Sequence, residues 1–381
     1  MVIARIGLKA LAHDRGKLAS AVAGVAAASL LLALEIGLYH GFKDASSSLV
    51  RHFGGDVWVM ARGTEVMEGG ELLSPAVWAR VEADPCFERA RSLLVTHASA
   101  RGPGTSPVGV MLVGVEAYEP ATARHEAMPW STHRGLPADL RGPNRVSVDA
   151  SDVRKLHLPP DPLGGELTLG PETVHVAVVT KGIRSFTLQP YLFLDIDAAR
   201  RVAAVPDGQV QYVVADMRSE ACTPGFVARL NGLADLQAIP TEAFARMSED
   251  YWVSGSGAGA ALAFGAALGS VVGALIVGQA LYSLTKTHEL ELATLKAMGA
   301  SPPELVAFVA CQAAFLAATG GPLGLAAAAG LGAWLSGSGL SIVLSPGSLL
   351  FGLGVVTGMC VLASVAGIRH ILSLSPAEVF K

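Results

Sequence analysis

The chain has 381 residues, 51% of them hydrophobic and only 16% charged, with a formal net charge of −4. A net acidic chain is not expected to have a nucleic-acid partner, and four cysteines are too few for a disulfide-built scaffold. Charge is also unevenly placed: of the 60 charged residues, 46 lie in residues 40–255, leaving 14 for the other 165 residues.

Residues 1–17 carry Arg5, Lys9, Arg15 and Lys17 and read as a cytoplasmic N-terminal segment. Residues 18–38 follow with a single acidic residue, Glu35, and the runs 258–284, 305–335 and 347–368 have no charge. About 20 apolar residues cross the roughly 30 Å of bilayer hydrocarbon. Four transmembrane helices are therefore expected, over 18–39, 256–284, 305–335 and 347–368. A secretory leader is the competing reading of residues 1–38, but the apolar run is span-length and lacks an Ala-x-Ala exit, so retention as a helix is the expectation. An intramembrane carboxylate can serve as a proton or substrate site, but Glu35 lies close to Tyr39 and the outer end of its span, so snorkelling to the interface or to water beside the external domain is the expectation.

Residues 40–255 are numerous enough for one or two packed subdomains. Residues 56–60, 108–113, 166–169, 173–179 and 210–214 are β-rich or alternate in polarity and read as strands. Ser74-Pro75 and Thr223-Pro224 each place a capping residue before a proline and read as helix starts, with a further helix over 197–205. The result is a mixed α+β domain.

Between the second and third spans, residues 285–304 hold a short charged helix pattern. Gly299 stands where a left-handed C-terminal cap is wanted, and Ser301-Pro302-Pro303-Glu304 reads as the capping box that starts the next helix. In the third span, Gly320, Gly321 and Pro322 mark an expected helix break. The loop 336–346 has no Lys or Arg, whereas Lys286 and Lys296 flank the second and third spans, and Arg369 and Lys381 follow the fourth, in the tail 369–381. By the positive-inside rule both termini and the 285–304 segment are cytoplasmic, and residues 40–255 are external. Trp252 and Trp334 then fall near the outer interface.

The segment Glu289, Glu291, Leu292, Ala293, Leu295, Lys296, Ala297, Gly299, Ala300, Ser301 resembles the loop after the second span of FtsX-like, MacB-type ABC transporter permeases. It departs from that family's pattern at His288 and at Lys296, where an arginine is common. Asp149-Ala-Ser, the Gly164-Gly165 turn, residues 191–199 and 210–214, and the terminal Leu374-Ser-Pro-Ala-Glu-Val-Phe380 carry the resemblance along the rest of the chain. The DevC-like branch, which lacks a fused ATPase, is the nearest variant. The resemblance implies an integral membrane α-helical fold, four transmembrane helices with a large α+β periplasmic domain inserted between helices 1 and 2, in the bacterial inner membrane.

It also implies a mechanism and partners. A separate cytoplasmic ABC ATPase uses ATP, this chain binds no cofactor, and His288, Glu289, Glu291, Leu292, Leu295, Lys296, Gly299 and Ala300 couple the ATPase to the membrane. A second permease copy completes the unit as a homodimer, with a heterodimer as the alternative, in contact with membrane lipids. A periplasmic adaptor protein and an outer-membrane duct are further partners in that family. Export of a hydrophobic molecule, lipid or glycolipid is the expected task, with lipoprotein release or regulation of a cell-wall hydrolase as alternatives. A membrane-anchored sensor is a different class, disfavoured because the tail after Arg369 is too short to signal.

Several features carry no chemistry. No Gly-x4-Gly-Lys-Ser/Thr phosphate loop and no His-Glu-x-x-His motif is present, and the ten histidines are scattered, so no catalytic or metal-binding residues are expected. Ala261, Gly265, Gly269 and Gly273 repeat at four-residue intervals, which suits either packing against the first span or a dimer seam. Cys311 and Cys360 lie in spans as small packing residues. Cys86 and Cys222 fall in the external domain, where either a bridge or two unrelated thiols is open.

Overall fold

The computed structural model describes residues 15–116, 132–183, 185, 189–336 and 340–373. The expectations placed on Arg5, Lys9, Lys381 and the motif at 374–380, with most of the 1–17 segment and part of the 336–346 loop and the 369–381 tail, lie outside the described residues. The chain divides into a helical unit (Met1–Gly41, Gly259–Ser336, Ile342–Lys381) and a sheet unit (Phe42–Ala258, Gly337–Ser341).

Helix α1 (Arg15–Phe53) extends well past the span expected over 18–39. Its later residues stay helical because they are amphipathic at helical spacing. Leu49, Val50 and Phe53 line one buried edge, while Lys43, Ser47 and Arg51, four apart, line another.

The sheet unit then runs β1 (Val57–Ala61), α2 (Pro75–Glu82), β2 (Phe87–Arg101), β3 (Val108–Val115), β4 (Thr132–Arg134), β5 (Arg145–Asp149), β6 (Glu166–Leu169) and β7 (Glu172–Thr180). It continues with β8 (Tyr191–Asp195), α3 (Ile196–Ala203), β9 (Tyr212–Met217), α4 (Thr223–Asn231), β10 (Leu236–Pro240) and α5 (Thr241–Asp250). Among the described residues the ten strands form one sheet in the order β10-β1-β9-β2-β3-β8-β5-β7-β4, with β6 bridging β2 and β7. The β3–β8 and β5–β7 pairs are parallel and the others antiparallel.

Both faces of this sheet are covered. Val57, Val59 and Ala61 point to one side with Val77, Val81, Ile196, Phe226 and Leu230 from α2, α3 and α4. Trp58 and Met60 point to the other, against Leu49, Val50 and Phe53 of α1 and Phe244 of α5. Double burial explains why β1 is apolar at every position rather than alternating. The Trp58 ring meets Tyr212 and Phe244 at centroid distances of 5.5 and 5.3 Å.

The helical unit comprises α1 up to Gly41, then α6 (Ala258–Thr287), α7 (Glu289–Ala297), α8 (Pro302–Ser336) and α9 (Pro346–Ser373). Among the described residues four helices, α1, α6, α8 and α9, are long and apolar enough to cross a membrane. Their shared interior is built of small and aliphatic side chains: Ala21, Val25, Ala28 and Leu32 of α1 meet Val277 and Leu281 of α6, Ala313 and Leu316 of α8, and Val356 and Cys360 of α9. Small residues let helix backbones approach, which is how apolar helices gain contact when hydrocarbon competes for their side chains.

The break expected at Gly320, Gly321 and Pro322 is not an interruption, because α8 is helical straight through. Pro322 itself is exposed. The two glycines beside it do different work. A Cβ on Gly320 would lie 2.8 Å from the Val25 Cβ, and one on Gly321 would lie 2.9 Å from a Leu353 methyl. One turn on, a Cβ on Gly324 would lie 2.6 Å from Ser29 Cβ. Buried Ser29 donates its hydroxyl to the carbonyl of Gly321 at 3.0 Å. The glycines seat α8 against α1 and α9.

Candidate functional site

The expected coupling residues form a compact, fixed structure at one end of the helical unit. Helix α6 leads almost directly into α7: the His288 amide still bonds back to the carbonyls of Leu284 and Thr285, and the Leu292 amide bonds to the carbonyl of His288. His288 is buried, its ring edge-on to Phe308 at 6.4 Å and its Nδ1 3.1 Å from a Glu291 carboxylate oxygen. A histidine here fills an aromatic niche and ties the first turn of α7.

Helix α7 is anchored on one side only. Leu292 joins Leu305, Phe308 and Val309 of α8 in one apolar cluster, with Leu295, Ala300 and Ile368 packed at its margin, and Ala293 is also buried. On the other side Leu290 and Met298 are 56% and 72% exposed, and the Glu291 carboxylate is also exposed. Glu289, in the first turn, reaches Lys286 at 3.6 Å, and Lys296 occupies the last turn, so both charges complement the helix dipole.

The exit from α7 is a complete Schellman motif. Gly299 has φ of +99°, its amide bonds the Lys296 carbonyl at 3.1 Å, and the Ala300 amide bonds the Leu295 carbonyl at 3.0 Å. The following capping box is half made in the expected way. The Glu304 carboxylate accepts from the Ser301 amide at 2.8 Å, but the Ser301 hydroxyl also donates to that carboxylate at 2.8 Å instead of accepting from the helix. Both ends of the 299–304 turn are therefore set by hydrogen bonds. Of the expected coupling residues, Leu292, Leu295 and Ala300 converge on the apolar cluster, His288 and Glu291 pair with each other, and Glu289 and Lys296 lie at opposite ends of α7.

The four-residue repeat on α6 divides. Gly273 packs on Ala28 of α1, where a Cβ would lie 3.3 Å from the Ala28 methyl, and Gly269 lies under the carboxylate of Glu35. Gly265 has open space and Ala261 is exposed. The Glu35 carboxylate turns toward α6, and its Oε2 is enclosed, with no hydrogen-bond partner among the described residues. Sequence spacing missed Gly324, the closest helix approach, although Gly320-x3-Gly324 is a small-x3-small pattern in plain view. The burial of His288 had no signal in the sequence, since its aromatic partner lies on the next helix.

Comparison with known proteins places these features. Residues 263–376 match the family model described as FtsX-like permease C-terminal. Over 371 residues the chain is 25% identical to an uncharacterized ABC transporter permease of Mycobacterium bovis and to its counterpart in Mycobacterium tuberculosis, covering 94% of this chain and 95% of each relative. Among solved structures, the periplasmic region of MacB from Actinobacillus actinomycetemcomitans aligns at 11% identity and a TM-score of 0.39, covering 53% of this chain and 96% of that one. The extracellular domain of the noncanonic ABC-type transporter YknZ from Gram-positive bacteria aligns at 13% identity and a TM-score of 0.36, covering 49% and 98%.

Proposed function

Taking this chain as a multi-pass ABC transporter permease of the FtsX type, we propose that it transmits ATP-driven motion of a separate cytoplasmic ATPase to its sheet unit, which lies outside the membrane. One observation carries the reading: α7 is pinned on one face by Leu292, with Leu295 at the margin of the same cluster, and closed by the Gly299 cap, while its other face presents Leu290, Met298 and Glu291. An exposed apolar pair with a flanking carboxylate suits docking into a partner cleft, and a rigid mount lets a push on that face reach α6 and α8. The working unit is a pair of such permeases with two ATPase copies, and Ala261 and Gly265 are the positions on α6 left free for a pairing seam. The cargo that suits this arrangement is a hydrophobic molecule, lipid or glycolipid for export. Release of a lipoprotein from the membrane is the second reading.

The test is reconstitution of the purified chain in lipid nanodiscs with and without its ATPase. The chain alone is expected to hydrolyse no ATP, and the assembled complex to hydrolyse it at a rate that changes at least fivefold when Leu290 and Met298 are both replaced by Asp. Equal rates for wild type and the double variant, at equal complex yield, would overturn α7 as the coupling element.

A further inference from the structure

The sheet unit brings together two cysteines that are far apart in sequence. Cys86 sits at the entry to β2, where its carbonyl accepts from the Arg218 amide just beyond β9. From there a short 3-10 turn, Glu220–Cys222, carries the chain to the N-terminus of α4, and Cys222 stands at the N-cap position without a side-chain capping bond. The two side chains pack half-buried against the same apolar core as free thiols, close enough for each to perturb the other's titration. Asp84 and Arg229 frame the pair. Arg229 grips the Asp84 carboxylate through two hydrogen bonds of 2.7 and 2.9 Å and also reaches Cys86, and Asp84 accepts from the Cys86 amide at 2.9 Å. The neighbouring surface is a shallow groove lined by Arg80, Asp84, Pro85, Arg229 and Leu233, which gives a reagent access to this corner.

We propose that Cys86 and Cys222 are a native disulfide site, oxidised by thiol–disulfide exchange with an oxidised dithiol oxidoreductase in the compartment that holds the sheet unit. This rests on the external placement given above. The Arg218–Cys86 backbone bond on one side and the Arg229–Asp84 pair on the other hold both cysteines at one corner of the core, the closeness a disulfide requires.

The surroundings also select the first nucleophile. The Cys222 thiol is held below its usual value chiefly by the hydrogen bond from Cys86, with help from Ser219 and the Arg229 cation, and the α4 N-terminus favours a thiolate there; the Asp84 carboxylate opposes the effect. The Cys222 thiolate attacks one sulfur of the donor disulfide, forming a mixed disulfide and expelling the donor's first thiolate. Cys86, losing its proton, then attacks the Cys222 sulfur and expels the second. The protein loses two protons and two electrons, and the donor disulfide becomes a dithiol.

The bond would staple the start of β2 to the first turn of α4, an edge otherwise held by the pair of half-exposed Arg229 with the largely enclosed Asp84 side chain and by core packing.

The experiment uses the full chain in two arms. Purified protein in a glutathione redox buffer is digested without reduction and analysed by mass spectrometry. A cross-linked peptide pair containing Cys86 and Cys222, lighter by two hydrogens than the separate thiol peptides, is expected, while Cys311 and Cys360 remain alkylatable. The pair is expected to vanish in Cys86→Ser and Cys222→Ser. Free alkylation of both thiols at every redox poise would overturn the pairing itself. In the second arm, whole cells are acid-quenched and alkylated before lysis, and at least nine-tenths of the pair is expected to resist alkylation. A pair that oxidises when purified but is fully alkylated in cells would overturn the native disulfide through the placement of the sheet unit, leaving the geometry intact.

Discussion

Replacing Gly299 by valine separates backbone strain from side-chain clash, because a Cβ at this position meets no heavy atom within 4 Å. The cost is conformational alone. At φ of +99° an L-residue carries strain of order 1–3 kcal/mol, toward the upper end for a β-branched side chain and toward about 1 kcal/mol for alanine. Against this stands the anchor of α7. One fully buried leucine, Leu292, contributes about 1.5–3 kcal/mol, and Ala293 adds less. Strain and anchor are therefore of similar size. Valine should loosen the α7 mount and the first turns of α8 that it packs on, while the rest of α6 and α8, packed on α1 and α9, stays in place. An energy of 1–3 kcal/mol corresponds to roughly a 5- to 150-fold change in an opening equilibrium. Hydrogen exchange measured on the chain in nanodiscs should show amide protection over residues 289–300 falling by a factor in that range for Gly299→Val, by less for Gly299→Ala, and not at all over residues 313–335, which pack on the other long helices. Transport per ATP in the reconstituted complex should fall in the same order at unchanged membrane abundance. Protection equal to wild type in the valine variant would refute the account of the cap.

Two further perturbations test the packing of each unit separately. Gly324→Leu forces a side chain into Ser29 and Leu30 of α1 and should lower thermal stability in detergent by about 1–3 kcal/mol, whereas Gly330→Leu, on the same helix but facing open space, should be neutral. In the sheet unit, Glu249 is buried with Arg51 at 2.7 Å, Ser47 at 2.8 Å and Lys43 at 3.3 Å. Burial raises its pKa, but the hydrogen bonds from Ser47 and Arg51 outweigh that and hold it below the usual carboxylate value. Its contribution is present above the unfolded value of about 4.3 and is lost as pH falls through the folded one. Glu249→Gln should cost about 1–3 kcal/mol at pH 7, discounted for the half-exposed cations, and the two proteins should converge in stability only once pH has fallen through the lowered folded value of Glu249.

Much of this was legible in the sequence where periodicity and punctuation agree. The four apolar runs, the Gly299 cap and the strands at β1, β3, β6 and β7 follow from composition and spacing alone. What was not legible depends on partners far away in the chain. Strand β2 begins Phe87-Glu-Arg-Ala-Arg91, without alternation, and is a strand because it pairs with β3, β6 and β9 along its fifteen residues. Strands β5, β8 and β10 were likewise unannounced: β8 is buried on both faces at the sheet centre, so it offers no period to read. The α4 cap fell on Cys222 rather than Thr223, one residue early, because the 3-10 turn feeds straight into the helix. Gly320 and Gly321 looked like a break beside Pro322, and their role as contact points with α1 and α9 is a tertiary fact.

The central claim is that the free face of α7 meets the ATPase. Photo-cross-linking amino acids placed singly at Leu290, Met298 and, as a control, the exposed Phe351 of α9 test it in the assembled complex. The account predicts covalent adducts with the ATPase subunit from Leu290 and Met298, strengthened or weakened by nucleotide, and none from Phe351. Adducts absent from both α7 positions, in a complex that still hydrolyses ATP, would contradict it.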